Sequence, residues 1–159
     1  MNALNVLSLF LATLGPIGRI PPAPGTFGSA AAVIAAPWAF VPLSLPWRVA
    51  VLLVLFVCGA WAAGRAEDVL GKKDPGQVVI DEVLGQWMTF LPLASPDLLE
   101  LAVGFALFRL FDITKLPPIK ASEHWLPGGY GVMIDDALAG VYAGVLFIGL
   151  HWLRAGSVL

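Results

Sequence analysis

Long apolar runs separated by a few charged residues dominate this chain, and they set the expected architecture. Ile20–Trp47 is 28 residues without Asp, Glu, Lys or Arg, bounded by Arg19 and Arg48. Further charge-free runs are Val49–Gly64 with 16 residues, Val83–Pro96 with 14, Leu101–Phe108 with 8 and Ala137–Leu153 with 17. A helix that crosses the hydrocarbon of a bilayer needs about 20 apolar residues, with a range of about 17–25. The first and last runs meet that alone. The others borrow flanking residues whose charges snorkel or face the bundle interior.

The pattern predicts five membrane helices. They run from Thr26 to about Val41 with a kink at Pro37, from Arg48 to about Ala63, from Val78 to about Leu93, from Leu98 to about Thr114, and over Asp135–Leu153. Pro42–Pro46 and Pro96–Asp97 turn the chain, and polar loops cover Gly64–Gln77 and Leu116–Ile134. Met1–Leu14 is apolar without a basic leading segment, so it reads as a first helix on or partly in the membrane, not as a signal peptide. The expected fold class is therefore all-α: a small integral membrane helical bundle, residues 1–159 as one domain.

Composition sharpens this. Of 159 residues 58% are hydrophobic and 13% charged, against about 25% charged in an ordinary globular domain. A soluble domain this small cannot hide so much apolar surface, which excludes disorder and a soluble globule. The net charge of −2 argues against nucleic acid or another polyanion as partner. Cys58 sits in VLLVLFVCGAW with no basic neighbour, so it reads as a buried structural residue.

The charges are also lopsided. Under the predicted alternation Arg19, Arg65, Lys72, Lys73, Arg109, Lys115 and Lys120 share one side, while Arg48 and Arg154 lie opposite, a bias of seven to two. The positive-inside rule makes the richer side cytoplasmic. All the acids except Asp97 and Glu100 fall there too.

Four segments on that face carry candidate chemistry. In Arg19–Ser29, a helix start with free amides at Gly25 and Thr26, beside Arg19, can hold a phosphate, or it is simply a capped helix start. Asp81 and Glu82 open the third span, and two carboxylates about 100° apart cannot both face the loop's water. Arg109, Asp112 and Lys115 are three apart, placing Asp112 between two cations as an ion-pair ladder or an anion site. Gly128 and Gly129 form a candidate nest of amides ahead of a second acidic pair, Asp135 and Asp136. Five hard-oxygen carboxylates suit Mg²⁺, which bridges to phosphate oxygens. The competing class is an ion carrier or channel with carboxylates along a path through the membrane.

PGTFGS at 24–29, DEVLGQW at 81–87, FRLFDITKLPPI at 108–119 and GGYGVMIDDALAG at 128–140 closely resemble, in order and spacing, the phosphatidylglycerophosphatase A family. The chain departs from the family pattern at Lys115-Leu116, where prolines follow only at 117 and 118, and at Pro127. The resemblance implies a Mg²⁺-dependent phosphatase of the bacterial inner membrane that converts phosphatidylglycerophosphate to phosphatidylglycerol. It places the family's acids on Asp81, Glu82, Asp112, Asp135 and Asp136, with Glu123 a few positions after the third motif, and its basic positions on Arg109 and Lys115. The roles expected are catalysis at Asp81, Asp112 and Asp136, metal binding by the five acids, and phosphate binding by Arg109, Lys115, Arg19, Gly25, Thr26, Gly128 and Gly129.

Overall fold

The computed structural model describes residues 2–156, and among them every regular element is helical. A short α1 (Ala3–Ala12) and a 3₁₀ turn (Ile17–Arg19) lead into α2 (Pro24–Ala39), α3 (Leu45–Leu70), α4 (Ile80–Phe90) and α5 (Leu98–Thr114). A single-turn α6 (Ile119–Ser122) and the long α7 (Gly129–Gly156) follow.

Among the described residues only α3, with 26 residues, and Gly129–Trp152 of α7, with 24, are long and apolar enough to cross a membrane. The 11 residues of α4 reach about 16 Å at 1.5 Å per residue, roughly half of a hydrocarbon core. The third predicted span is thus a half-length helix inside the bundle, and α2 and α5 are intermediate at 16 and 17 residues.

Local chemistry explains most boundaries. Asp97 caps α5 in a reciprocal box, its carboxylate accepting from the Glu100 N–H at 2.7 Å while Glu100 accepts from the Asp97 N–H at 2.9 Å. Pro24, not Thr26, opens α2, because a missing N–H costs nothing in the first turn. α3 runs past the expected end at Ala63 to Leu70, since Arg65, Glu67 and Asp68 all fit an exposed helical end. Its stop is Gly71, left-handed at φ +64°.

Small residues let α4, α3 and α7 touch backbone to backbone. A Cβ at Gly140 would fall 2.3 Å from the Gly85 carbonyl oxygen, and one at Gly129 would fall 2.1 Å from that of Ala60. The small-residue spacings at Gly140–Gly144 and Ala60–Gly64 are therefore contact surfaces. This packing presses the first turn of α4 against α7, which places the acids described below.

The outward surface is what lipid requires. Ile34, Leu53, Val54 and Val145 are each more than 60% exposed. Cys58 is exposed on this face of α3 too, so it is not the buried residue expected. Trp38, Trp47 and Trp152 stand exposed at one end of the bundle, where α2 ends, α3 begins and α7 finishes. Aromatic residues favour such a membrane–water boundary.

Arg48 changes its meaning. Expected as the first residue of the second span, it is buried inside α3, its Nε donating to the Leu43 carbonyl at 2.9 Å and Nη1 to that of Leu91 at 3.1 Å. It also bonds the Leu93 and Val41 carbonyls and lies 5.7 Å from the Phe40 ring centroid. The side chain of Arg154 lies outside the described residues.

Candidate active site at the polar end of the bundle

The ends of α3 and α5 and the starts of α2, α4 and α7 meet at one end. Glu82, in the first turn of α4, is buried against α2, where Ser29 Oγ donates to its Oε2 at 2.6 Å. From α5, Arg109 Nη1 reaches both Glu82 oxygens at 2.6 Å and Asp112 Oδ2 at 2.7 Å. A Cβ at Gly25 would sit 2.1 Å from Glu82 Oε1 and 3.3 Å from Arg109 Nη1. With no side chain at Gly25, the amide end of α2 lies directly on this pair. Those first-turn N–H groups have no intrahelical acceptor and suit an anion.

Lys115 breaks the expected ladder. It is the left-handed cap of α5 at φ +44°, so its side chain leaves the helix and Asp112 pairs with Arg109 alone. Its Nζ instead reaches Glu123 Oε1 at 2.7 Å and Asp135 Oδ2 at 2.5 Å. Burial lowers the Lys115 ammonium pKa, but hydrogen bonds to Asp135 and Glu123 reverse this and hold it above the ordinary lysine range.

Asp135 and Asp136 do not open α7, which begins at Gly129, and so lie in its second turn, 5% and 4% exposed. Asp135 Oδ1 and Asp136 Oδ2 are buried without any hydrogen-bond partner. Asp136 feels the charges of Glu82, Asp81, Asp112 and Asp135. The five acids predicted from three distant segments therefore share one neighbourhood. In α4, burial and then the charge of Glu82 push the Asp81 carboxyl up, and burial and then Asp112 do the same to Glu82 against the pull of Arg109.

Two expected phosphate contacts lie elsewhere. Arg19 is exposed on the 3₁₀ turn, in no ion pair among the described residues. Gly129 is packed onto Ala60 and Gly64, while Gly128, left-handed at φ +57°, borders a polar cleft of about 50 Å³ that also touches Asp135, Glu123, Lys73 and His124. Ser29 is a site residue that spacing gave no reason to single out.

A divalent cation suits the donor set in kind, with hard oxygens and two partnerless buried ones. The oxygens are not gathered, however: among the described residues no three His, Cys, Asp or Glu side chains are arranged to hold a metal ion.

The profile of the family described as phosphatidylglycerophosphatase A matches residues 10–151. The chain belongs to the phosphatidylglycerophosphatase A family. It is 40% identical to "Phosphatidylglycerophosphatase A" of Escherichia coli (strain K12) over 139 residues, covering 85% of this chain and 79% of that one. It is 32% identical to the Haemophilus influenzae protein of the same name over 154 residues, 96% and 94% of the two chains. A Bacteroides thetaiotaomicron protein, named provisionally as a phosphatidylinositol-3-phosphatase, is 38% identical over 161 residues, 96% and 99% of the two. No solved structure matches. As a member of this family the chain is a lipid phosphatase.

A buried polar side chain of this phosphatase lies outside the charged cluster. Gln86 of α4 is fully buried, and neither its oxygen nor its nitrogen has a partner. An unsatisfied buried amide costs about 1–3 kcal/mol. Gln86→Met, of similar volume, is therefore expected to raise the melting temperature in detergent by a few degrees. A fall would show that the amide makes hydrogen bonds in the folded protein.

Proposed function

We propose that this chain hydrolyses the terminal phosphomonoester of phosphatidylglycerophosphate, giving phosphatidylglycerol and inorganic phosphate, with Mg²⁺ as cofactor. The observation that carries this is the meeting of Arg109 and Lys115 with Asp81, Glu82, Asp112, Asp135 and Asp136 at one end of an apolar bundle. A lipid phosphomonoester presents its head group at that depth while its acyl chains stay in the bilayer, so no lipid need be extracted. The charge bias assigns this end to the cytoplasmic face of a bacterial inner membrane, with α3 and α7 crossing it and the shorter helices packed between them.

In this reading Arg109 and Lys115 fix the phosphate oxygens, helped by the amides of Gly25 and Thr26 and, at the cleft beside Asp135, by Gly128. Asp81, Glu82, Asp135 and Asp136 hold the ion, which supplies charge neutralisation during phosphoryl transfer. Asp112, paired with Arg109 but not fully buried, is placed to take a proton from the attacking water. The P–O bond to glycerol breaks as the water oxygen bonds phosphorus, and the alcohol leaves with a proton.

An ion carrier fits less well. Asp97 and Glu100 at the far end are used in capping α5, and the contact between α4 and α7 is closed by Gly85, Gly140 and Thr89. The test is phosphate release from phosphatidylglycerophosphate in detergent, with Mg²⁺ and with EDTA. Phosphatidylinositol 3-phosphate and phosphatidic acid serve as comparison substrates. Release is expected only with Mg²⁺, and at least about tenfold faster from phosphatidylglycerophosphate, a discrimination of about 1.4 kcal/mol. Equal rates in EDTA would remove the metal, and a faster rate on another lipid would reassign the substrate.

A further inference from the structure

Both basic residues of the site are already engaged by carboxylates, Arg109 through Nη1 alone while its Nε is buried without a partner. Arg109 is shared between Glu82 and Asp112 at 2.6 and 2.7 Å, and Lys115 between Glu123 and Asp135 at 2.7 and 2.5 Å. The neighbourhood holds six carboxylates against these two cations. A phosphate dianion approaching Arg109 or Lys115 meets the carboxylates first, and like charges at such distances repel strongly away from water. The cleft beside Asp135 is about 50 Å³, room for one or two waters.

A divalent cation meets the converse difficulty. Asp135 Oδ1 and Asp136 Oδ2 are buried and partnerless, which favours a cation between them. Of the oxygens that would complete its shell, on Asp81 and Glu82, those of Glu82 are held by Arg109, which also holds Asp112. Each ligand thus finds its own partners occupied by those of the other.

We infer that these ion pairs form an exchange lock, so that a divalent cation and a phosphate monoester bind together and each binds poorly alone. On joint binding the carboxylates turn from Arg109 and Lys115 to the cation, and the freed guanidinium and ammonium turn to the phosphate oxygens. The inference rests on the function proposed above and adds an order to it: free Mg²⁺ governs affinity for the lipid head group as well as the rate.

Coupling between two sites is reciprocal, and typical values are 5–150-fold. Here every cation–anion contact is exchanged, so the upper part of that range applies. The experiment is calorimetric titration of the full chain in detergent with inorganic phosphate alone, with Mg²⁺ alone, and with each in the presence of the other. The expected result is that each ligand tightens the other by the same factor, at least about 30-fold. Glu123→Gln, which unlocks Lys115, is expected to strengthen phosphate binding without Mg²⁺ at least about fivefold, the lower end of such coupling. Loss of a structural contact alone gives no such gain. Independent binding of the two ligands, or unchanged metal-free phosphate affinity in Glu123→Gln, overturns the lock while leaving the phosphatase reading intact. Failure of both ligands to bind in any combination overturns the reading itself.

Discussion

Asp136→Asn is expected to lose phosphate release from phosphatidylglycerophosphate by about 100- to 1,000-fold, the usual effect of deleting one preorganised electrostatic group, while melting at a higher temperature than the parent. Two observations combine in this. Asp136 is 4% exposed with an oxygen that has no partner, and the charges of Glu82, Asp81, Asp112 and Asp135 bear on it. A buried carboxylate so placed destabilises the fold by desolvation and by repulsion. Asparagine keeps the shape and removes the charge, so stability rises. It also removes an oxygen donor whose charge a divalent cation requires. Opposite changes in stability and activity are the signature of a group held for chemistry against its own cost. Rates on the purified variant, with melting curves on the same sample, provide the check. Asp97→Asn serves as control: it removes a charge at the cap of α5, remote from the site, while keeping a capping oxygen, and is expected to leave the rate per folded molecule unchanged. A fully active Asp136→Asn would take Asp136 out of the site.

How much of this was legible in the sequence depended on whether the deciding contact was local. α5 is as predicted, Leu98–Thr114, because Pro96 and the Asp97–Glu100 box are signals written into adjacent residues. The pairing of Arg109 with Asp112 is likewise a matter of three-residue spacing. α7 was misread at its start because two glycines and a tyrosine suggest a turn, whereas Gly129 is helical and small so that it can lie on the Ala60 carbonyl. That contact is a property of α3, and nothing near Gly129 encodes it. The consequence reaches the chemistry, since Asp135 and Asp136 lie inside the helix and buried, not at a solvated terminus. Lys115 is the parallel case. Its left-handed backbone sends the side chain to Glu123 and Asp135, across α6 and α7, a pairing no spacing rule contains. That one of Asp81 and Glu82 is forced inward was legible, by contrast, but not that it is Glu82 or that Ser29 is its partner.

Arg48→Met is expected to destabilise the protein by about 3–5 kcal/mol, the loss typical of stranding buried polar partners, and to lower the melting temperature by roughly 10 °C at the 2–4 °C per kcal/mol usual for this size. The reason lies in the half-length helices. α2 ends at Ala39 and α4 at Phe90, and the last carbonyls of any helix lack intrahelical donors. Both ends also carry the negative pole of a helix dipole. Arg48 donates to Val41 and Leu43 just beyond α2, and to Leu91 and Leu93 just beyond α4. One planar guanidinium thus serves two helix ends from a third helix, with Phe40 beneath it. Within an apolar environment water cannot replace these bonds. Lysine keeps the charge but offers no fork that reaches both ends, so Arg48→Lys is expected to fall between Met and the parent. Because Arg48 lies at the end of the bundle opposite Asp136, turnover measured well below the melting temperature is expected to survive in both variants. Melting in detergent, with rates taken at low temperature, separates the two effects. An Arg48→Met protein that melts within about 2 °C of the parent, less than 1 kcal/mol on the same scale, would show that the two helix ends hold together without it.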